Sequence, residues 1–333
     1  MTPVTFTNYF KKKSIDNFLL KFYTSYPMEN GSLNTLPDYL IDKAENELQE
    51  KKEWRERDIQ ALRDIISNVP GLNPRKDDEF LLRFLRAKKF DYDKAANQIQ
   101  NYYAVRAKHK EIFENLKPSD LKNVFANMLQ TVLEDRDAEG RRVIILRIGQ
   151  WNPSKVSATD LFRSILICLE SVICEQETQI CGVVALVDLE GYSILHSRHC
   201  TPNYARRMIS VIQENIPIRF QGIHFLHEPM LFDVVYSFIR PFLREKIRDR
   251  VHFHGQDLAS LHTHIPPSIL PRDYGGSLPA FDNSHFVSML NKKEPYFIES
   301  NQYGYLSENA VALHQDMDNM EKFVTSYYST CAK

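Results

Sequence analysis

The chain has no glycine-rich phosphate cradle: no GxGxxG follows a strand, and there is no Walker loop. A G-x-S-x-G nucleophile elbow is missing as well. These absences argue against nucleotide-driven chemistry and serine hydrolysis. Cysteine is scarce, five in 333 residues. Cys168, Cys174, Cys181, Cys200 and Cys331 are odd in number and form no zinc-like CxxC pairs. They fit reduced thiols of a cytosolic protein. No apolar run approaches the length of a membrane span. Lys11-Lys12-Lys13 precedes only a short apolar patch, Phe18-Leu19-Leu20, so a signal peptide is not expected. Thr2 in place of glycine argues against myristoylation, and Cys331, third from the end, does not suit prenylation. An excess of one charge is also lacking, with 42 Lys plus Arg against 43 Asp plus Glu. Bulk charge therefore gives no reason to expect a nucleic acid, and any basic surface must be local. There are no internal repeats or low-complexity segments.

What remains is a chain long enough for one large domain or two, with a substantial core. Residues 1–35 read as a flexible N-terminal arm, ending near Asn30-Gly31-Ser32. Residues 36–125 read as helical. One helix starts at Leu36-Pro37, and a second runs from about Glu53 to Ile66. Asp77-Asp78 caps a third, Glu79 to Ala87, and Tyr92-Asp93 starts a fourth that passes Arg106. After Asn127 the period changes. Arg142 to Ile148 is a β-branched run, Ala158 to Thr178 reads as one long apolar helix, and Val183 to Val187 is a strand of the buried type. A helix over Tyr204 to Ile216 and strands over Arg219–Leu226 and Arg250–His254 follow. Strands alternating with helices imply a mainly parallel α/β sheet. Residues 126–290 are read as that domain. The part after Gly276 is weakly patterned and is expected to wrap loosely, with 291–333 as a C-terminal tail.

Ile216 to Gly255 places greasy and basic residues side by side. Glu228-Pro229 opens a helix with proline at a tolerated position. Leu231, Phe232, Val234, Val235, Phe238 and Ile239 give it a broad apolar face, and Pro241 should bend or break it. Beyond the bend, Arg240, Arg244 and Arg248 fall four apart, as do Lys246 and Arg250. An apolar segment joined to a cationic one suits a membrane surface, while Glu245 and Asp249 leave open an ordinary solvated helix. Asp188 and Glu190 end a strand where α/β folds often bind ligands, though Asp188 also suits a structural pairing. His252-x-His254 and His262-x-His264 are suggestive, but zinc needs further ligands and an orienting shell that the sequence does not fix; no metal is expected.

Asp77-Asp78-Glu79-Phe80-Leu81-Leu82-Arg83-Phe84-Leu85-Arg86-Ala87-Lys88-Lys89-Phe90-Asp91 resembles the helical N-terminal signature of CRAL-TRIO proteins. Asp188-Leu189-Glu190-Gly191, His227-Glu228-Pro229, Ile239-Arg240-Pro241-Phe242-Leu243 and Leu270-Pro271-Arg272-Asp273-Tyr274-Gly275-Gly276 resemble that family's C-terminal landmarks. The motifs stand in the family's order from about Leu36 to Gly276.

The resemblance implies a sheet that floors an apolar lipid pocket under a mobile gate helix. It carries pocket positions over to Phe162, Ile165, Leu169, Val183, Val187, Tyr192, Met208, Val211, Ile212, Ile216, Ile218, Phe220 and Ile223. Plain core packing is the alternative for the same residues. It places phosphoinositide contacts on Arg219, Gln221, Lys246 and Arg250, with Gln221 departing from the family's cation and Arg240 and Arg244 as compensating cations. Leu231, Phe232 and Val235 become the gate's apolar face. Where tocopherol-carrying members have serines, this chain has Ile165 and Leu169, which offer a ligand no hydroxyl. The expected activity is transfer of a small hydrophobic ligand (tocopherol-like, retinoid-like or another lipid) to or between phosphoinositide membranes. The rival is a trafficking adaptor that holds a structural lipid. No catalytic residue and no cofactor beyond the lipid cargo are expected, nor a nucleic-acid partner. The expectation is a cytoplasmic monomer, reversibly and peripherally bound to intracellular membranes such as endosomes.

Overall fold

The computed structural model describes residues 36–307; the arm expected over 1–35 and residues 308–333, with Cys331, lie outside the described residues. Helix α1 (Asp38–Leu48) buries Leu40, Ala44 and Leu48, one apolar stripe at a spacing of four. Helix α2 (Arg55–Ser67) buries Ile59, Leu62 and Ile66. A two-residue strand, β1 (Leu72–Asn73), leads to α3 (Asp78–Ala87), which starts where the Asp77 carboxylate accepts the N–H of Phe80 at 2.9 Å. Helix α4 (Tyr92–Lys108) is capped in the same way by Asp91 onto Lys94 N. The rings of Phe80, Phe84, Tyr102 and Tyr103 pack against one another between α3 and α4.

Helix α3 is buried around most of its surface, and two of its buried residues are arginines. A buried guanidinium is tolerable only when its donors are used. Arg86, 0% exposed, donates from Nε and Nη2 to the two carboxylate oxygens of Glu50 at 2.7 and 2.9 Å. Its Nη1 donates to Gln179 Oε1 at 2.8 Å. Burial pulls its pKa down, and Glu50 opposes that pull. Arg83 donates to the Tyr296 hydroxyl at 3.0 Å and lies over the Phe80 ring.

The second half is a five-stranded sheet in the order β2-β3-β4-β5-β6. Its strands are β2 (Gln130–Val132), β3 (Arg142–Arg147), β4 (Val183–Asp188), β5 (Phe220–Leu226) and β6 (Val251–Phe253). All neighbours are parallel except β2, which runs antiparallel at the β3 edge. On one face Val143, Ile145, Val184, Leu186 and Leu226 pack with Leu261, Ile265, Leu270 and Tyr274. The other face meets α5 (Ala158–Val172) and α7 (Pro202–Ser210), which continues into a π turn over Val211–Asn215.

Two expectations are corrected. The helix expected over Ala158 to Thr178 stops at Val172, and α6 (Gln176–Cys181) begins anew. Between them Glu175 is drawn to Arg136 at 2.7 Å, Arg142 at 2.9 Å and the Thr178 hydroxyl at 2.7 Å, so the chain turns toward those groups. Burial would raise the Glu175 carboxyl, but Arg142 and Arg136 hold it below its ordinary value. Nor does the described chain beyond Gly276, residues 277–307, wrap loosely. Helices α8 (Met230–Ile239), α9 (Glu245–Arg248) and α10 (Leu258–His262) are followed by α11 (Ser284–Lys292) and α12 (Glu294–Ser300). Phe286, Leu290 and Phe297 enter the main core. A last strand, β7 (Gly304–Tyr305), pairs antiparallel with β1, and Lys293 donates to the carbonyl of Ser171 at 2.7 Å. Among the described residues no helix is long and apolar enough to cross a membrane.

Glu50→Ala should strand the buried Arg86 and lower stability by about 3–5 kcal/mol, as loss of one member of a buried pair does. Urea unfolding followed by circular dichroism measures this; a loss under about 1 kcal/mol would contradict the role given to the pair.

Candidate functional site

Alternation along the strands decides which side chains face α5. Ile144 and Leu146 of β3, Ala185 and Val187 of β4, and Val251 of β6 form the floor of a cavity of about 210 Å³. Phe220, Ile223 and Phe225 of β5 join them. Phe220 and Ile223 are three apart, which simple alternation forbids. A bulge resolves this: Val183 pairs with Phe220 and Val184 with Gly222, so Gln221 is the extra residue. Ile165, Cys168 and Leu169 of α5 form one wall, and Ile209, Ile212 and Gln213 another. Tyr236, Ile239, Leu243 and Ile247 close the top. Burial pushes the Cys168 thiol far above its ordinary pKa, so it is an inert apolar contact.

Of the expected pocket residues, Ile165, Leu169, Val187, Ile212, Phe220 and Ile223 line this cavity. The others do not. Phe162, Val183, Met208, Val211 and Ile216 belong to a packed core filled by Ile112, Phe113 and Leu116 from the helical half and by Phe286 and Leu290 of α11. Tyr192 stacks on His196 and meets the Phe232 ring edge-on at 5.7 Å. Ile218 lines a neighbouring groove, as does Ile216.

Helix α8 is apolar on two sides. Phe232 and Val235 are buried against Leu189, and Leu231 is half-buried. None of these three lines the cavity; the residues that roof it are Tyr236 and Ile239. Met230 (90% exposed), Val234 and Phe238 form a second stripe, four apart, that faces outward.

Polar contacts hold both ends of α8. At its start, His227 adopts a left-handed backbone (φ 57) and places Nδ1 2.8 Å from Asp188 Oδ1. Tyr274 donates to the other oxygen of Asp188 at 3.2 Å, and Glu228 accepts the N–H of Gly255 at 2.8 Å. Asp188 is thus a pairing group. At its far end, after the 3₁₀ turn Arg240–Phe242, the Gln213 amide bridges two backbone groups. Its Nε2 donates to Phe242 O at 3.0 Å, and its Oε1 accepts from Arg244 N at 2.9 Å.

Beside the cavity lies a groove of about 540 Å³. Arg219, Gln221, Lys246 and Arg250 all line it, with Lys43, Lys88, Lys89, Arg141 and Arg244; Arg240 does not. Arg219 is partly committed, donating to Ile180 O and pairing with Glu47 at 2.9 Å, and Arg250 donates to Phe220 O. Among the described residues Lys88, Lys89, Arg244 and Lys246 make no ion pair. Burial lowers the Lys246 pKa and the cations Arg250, Arg219 and Lys89 lower it further. Lys88 is lowered by burial, then by Arg244 and Lys94. Such mutual repulsion marks a site short of an anion. Lys88 and Lys89 went unread as contacts, although they close the quoted N-terminal signature. Ile212, Gln213, Phe220 and Ile247 line both the groove and the cavity.

A CRAL/TRIO domain profile matches residues 126–276, and a Pinta-like, UBA domain profile matches residues 51–122. The chain is 43% identical over 274 residues to alpha-tocopherol transfer protein-like of Homo sapiens, spanning 82% of this chain and 80% of that one. It is 35% identical over 285 residues to clavesin-1 of Rattus norvegicus, across 85% of this chain and 80% of that one. Clavesin-2 of Mus musculus is 35% identical over 272 residues, across 81% and 83%. The crystal structure of Sfh5 aligns at a TM-score of 0.42 and 15% identity, covering 74% of this chain and 99% of that one.

Filling the cavity and overfilling the core should differ. Val187→Trp projects into open space and should cut uptake of a fluorescent apolar probe at least tenfold with little change in melting temperature. Val211→Trp enters packed core and should cost about 1–3 kcal/mol. Equal destabilisation by both, with no probe uptake by the wild type, would mean the region is simply core.

Proposed function

Given that this chain belongs to the CRAL/TRIO domain family, generally one of lipid-binding and transfer proteins, we propose that it carries a small hydrophobic lipid and exchanges it at phosphoinositide-bearing membranes. The observation that carries this reading is the adjacency, across four common residues, of an apolar cavity and a basic groove in which Lys88, Lys89, Arg244 and Lys246 have no carboxylate partner among the described residues. The cavity suits cargo. At about 210 Å³ it is smaller than the ~300–1,000 Å³ usual for ligand pockets. Loading therefore needs α8 to move outward. Gln213, the most polar group on its wall, spends both ends of its amide on the backbone at Phe242 and Arg244. With Ile165 and Leu169 also lacking a hydroxyl, a lipid alcohol would lose roughly 1 kcal/mol per missing hydrogen bond. Discrimination for tocopherol over less polar lipids should accordingly be weak.

The groove supplies docking. Phosphate groups of a headgroup would satisfy Lys88, Lys89, Arg244 and Lys246, which lack carboxylate partners among the described residues. Each cation near an anionic leaflet contributes about 1 kcal/mol, so a handful gives reversible attachment. The outward stripe of Met230, Val234 and Phe238 supplies the apolar part of that contact. We read the protein as a non-enzymatic monomer of the cytoplasm, peripherally recruited to intracellular membranes, endosomes included.

Two variants separate docking from insertion. The triple variant Lys88→Ala, Arg244→Ala, Lys246→Ala should lose salt-sensitive binding to phosphoinositide vesicles while probe uptake in solution stays within twofold, because charge contacts are screened and apolar burial is not. Met230→Asp with Phe238→Asp should weaken vesicle binding without altering binding of a soluble inositol phosphate. Transfer of a fluorescent lipid between vesicles is the deciding assay. Vesicle binding by the triple variant equal to wild type would remove the groove from the proposal, and binding without transfer would favour an adaptor holding a structural lipid.

A further inference from the structure

The sheet face opposite the cavity carries a feature that lipid carriage does not use. Along β5, Ile223 and Phe225 face the cavity, so His224 between them points to the other side. In the parallel register His224 lies directly beside His252 of the edge strand β6. Their rings stack with centroids 4.8 Å apart and planes at 12°. His264, exposed on the loop after α10, brings a third ring to 4.5 Å from His252 and 4.8 Å from His224. One ring nitrogen from each of the three lies within 4.8 Å of the other two.

Two further observations set this cluster apart from histidines packed by chance. First, the buried His224 is already oriented. Its Nδ1 lies 3.0 Å from His254 Nε2, and His254 Nδ1 lies 2.8 Å from the Ser260 hydroxyl. A ring held through one nitrogen by a hydrogen-bonded relay presents the other as a ligand, the arrangement found behind metal-binding imidazoles. Second, the His224 ring lies over Gly222, where a Cβ would come within 2.6 Å of Nε2, so only glycine leaves room for the ring to lie flat beside His252.

We propose that His224, His252 and His264 form a three-histidine site for a divalent transition cation of the zinc class, with His254 and Ser260 orienting His224. Tetrahedral zinc needs nitrogens about 2.0–2.1 Å from the metal, hence about 3.3 Å from one another. Rotation of the half-buried His252 and the exposed His264 toward the fixed His224 closes the remaining distance. Because β6 is an edge strand joined to β5 by only three register pairs, a bound ion would tie that edge and the His264 loop together.

The test uses the tag-free full chain, treated with chelator and then freed of it. Zinc titrated by calorimetry should bind at one equivalent with a micromolar or tighter Kd, and cobalt(II) should give the visible absorption of a tetrahedral site. His252→Ala with His264→Ala should weaken zinc binding at least 100-fold, and Ser260→Ala about tenfold. Uptake of an apolar probe should be unchanged in all of them, since the site lies across the sheet from the cavity. Should the double variant melt early without zinc, His264→Ala alone, at an exposed position, carries the test and should lose at least tenfold. No stoichiometric zinc binding by the wild type, or undiminished affinity in the His264→Ala variant, overturns the proposal.

Discussion

The Arg86 guanidinium is the contact on which the relation between the two halves depends. It has no exposure, and its donors reach Glu50 behind α1 and Gln179 on α6. A charge so buried is stable only while both neighbours stay in place. The clamp therefore fixes the C-terminal end of α3 against the start of β4. That end carries Lys88 and Lys89, and the basic groove is built from them together with Arg219, Lys246 and Arg250 from the sheet half. The groove is a product of docking, and neither half holds enough of its cations alone.

Much of this was legible in the sequence. The β-branched run at Arg142, the apolar run at Val183 and the helix opened by Pro229 carry local signals strong enough to survive tertiary context. Arg219, Gln221, Lys246 and Arg250 fall in one groove, at the N-terminal ends of β5 and β6 and on the short helix α9 before β6. The illegible parts have specific causes. The break after Val172 comes from ion pairs to Glu175 whose partners lie more than thirty residues away. The bulge at Gln221 appears only when β4 and β5 are paired, and it decides which side chains face the cavity. Val183 and Val211 are as apolar as Val187, and only the folded packing shows that they are buried off the cavity that Val187 lines. The α11 signal was present in Phe286, Val287, Met289 and Leu290, a three-and-four spacing passed over as weak. His224 gave no local signal at all, because its neighbours come from β6 and a distant loop.

Helix α8 differs from the other helices in how it is held. Its inward residues make a small separate cluster with Leu189, and its ends are fixed by polar groups in place of deep apolar contacts. Hydrogen bonds of this kind each contribute only about 0.5–1.5 kcal/mol net. The rings of α8 also meet the sheet through Phe225, against which Phe232 and Tyr236 pack.

The residues common to groove and cavity carry a further consequence, for how such a protein can diverge. Phe220, Ile212 and Ile247 each touch both spaces, and Gln213 adds the gate to the pair. A substitution at Phe220 that reshapes the space for cargo also moves the backbone carbonyl that Arg250 holds. Descendants of this chain that reshape the cavity through these positions would alter the basic groove in the same step, whereas Ile165 and Leu169, which line the cavity and not the groove, leave room for the cavity to drift on its own.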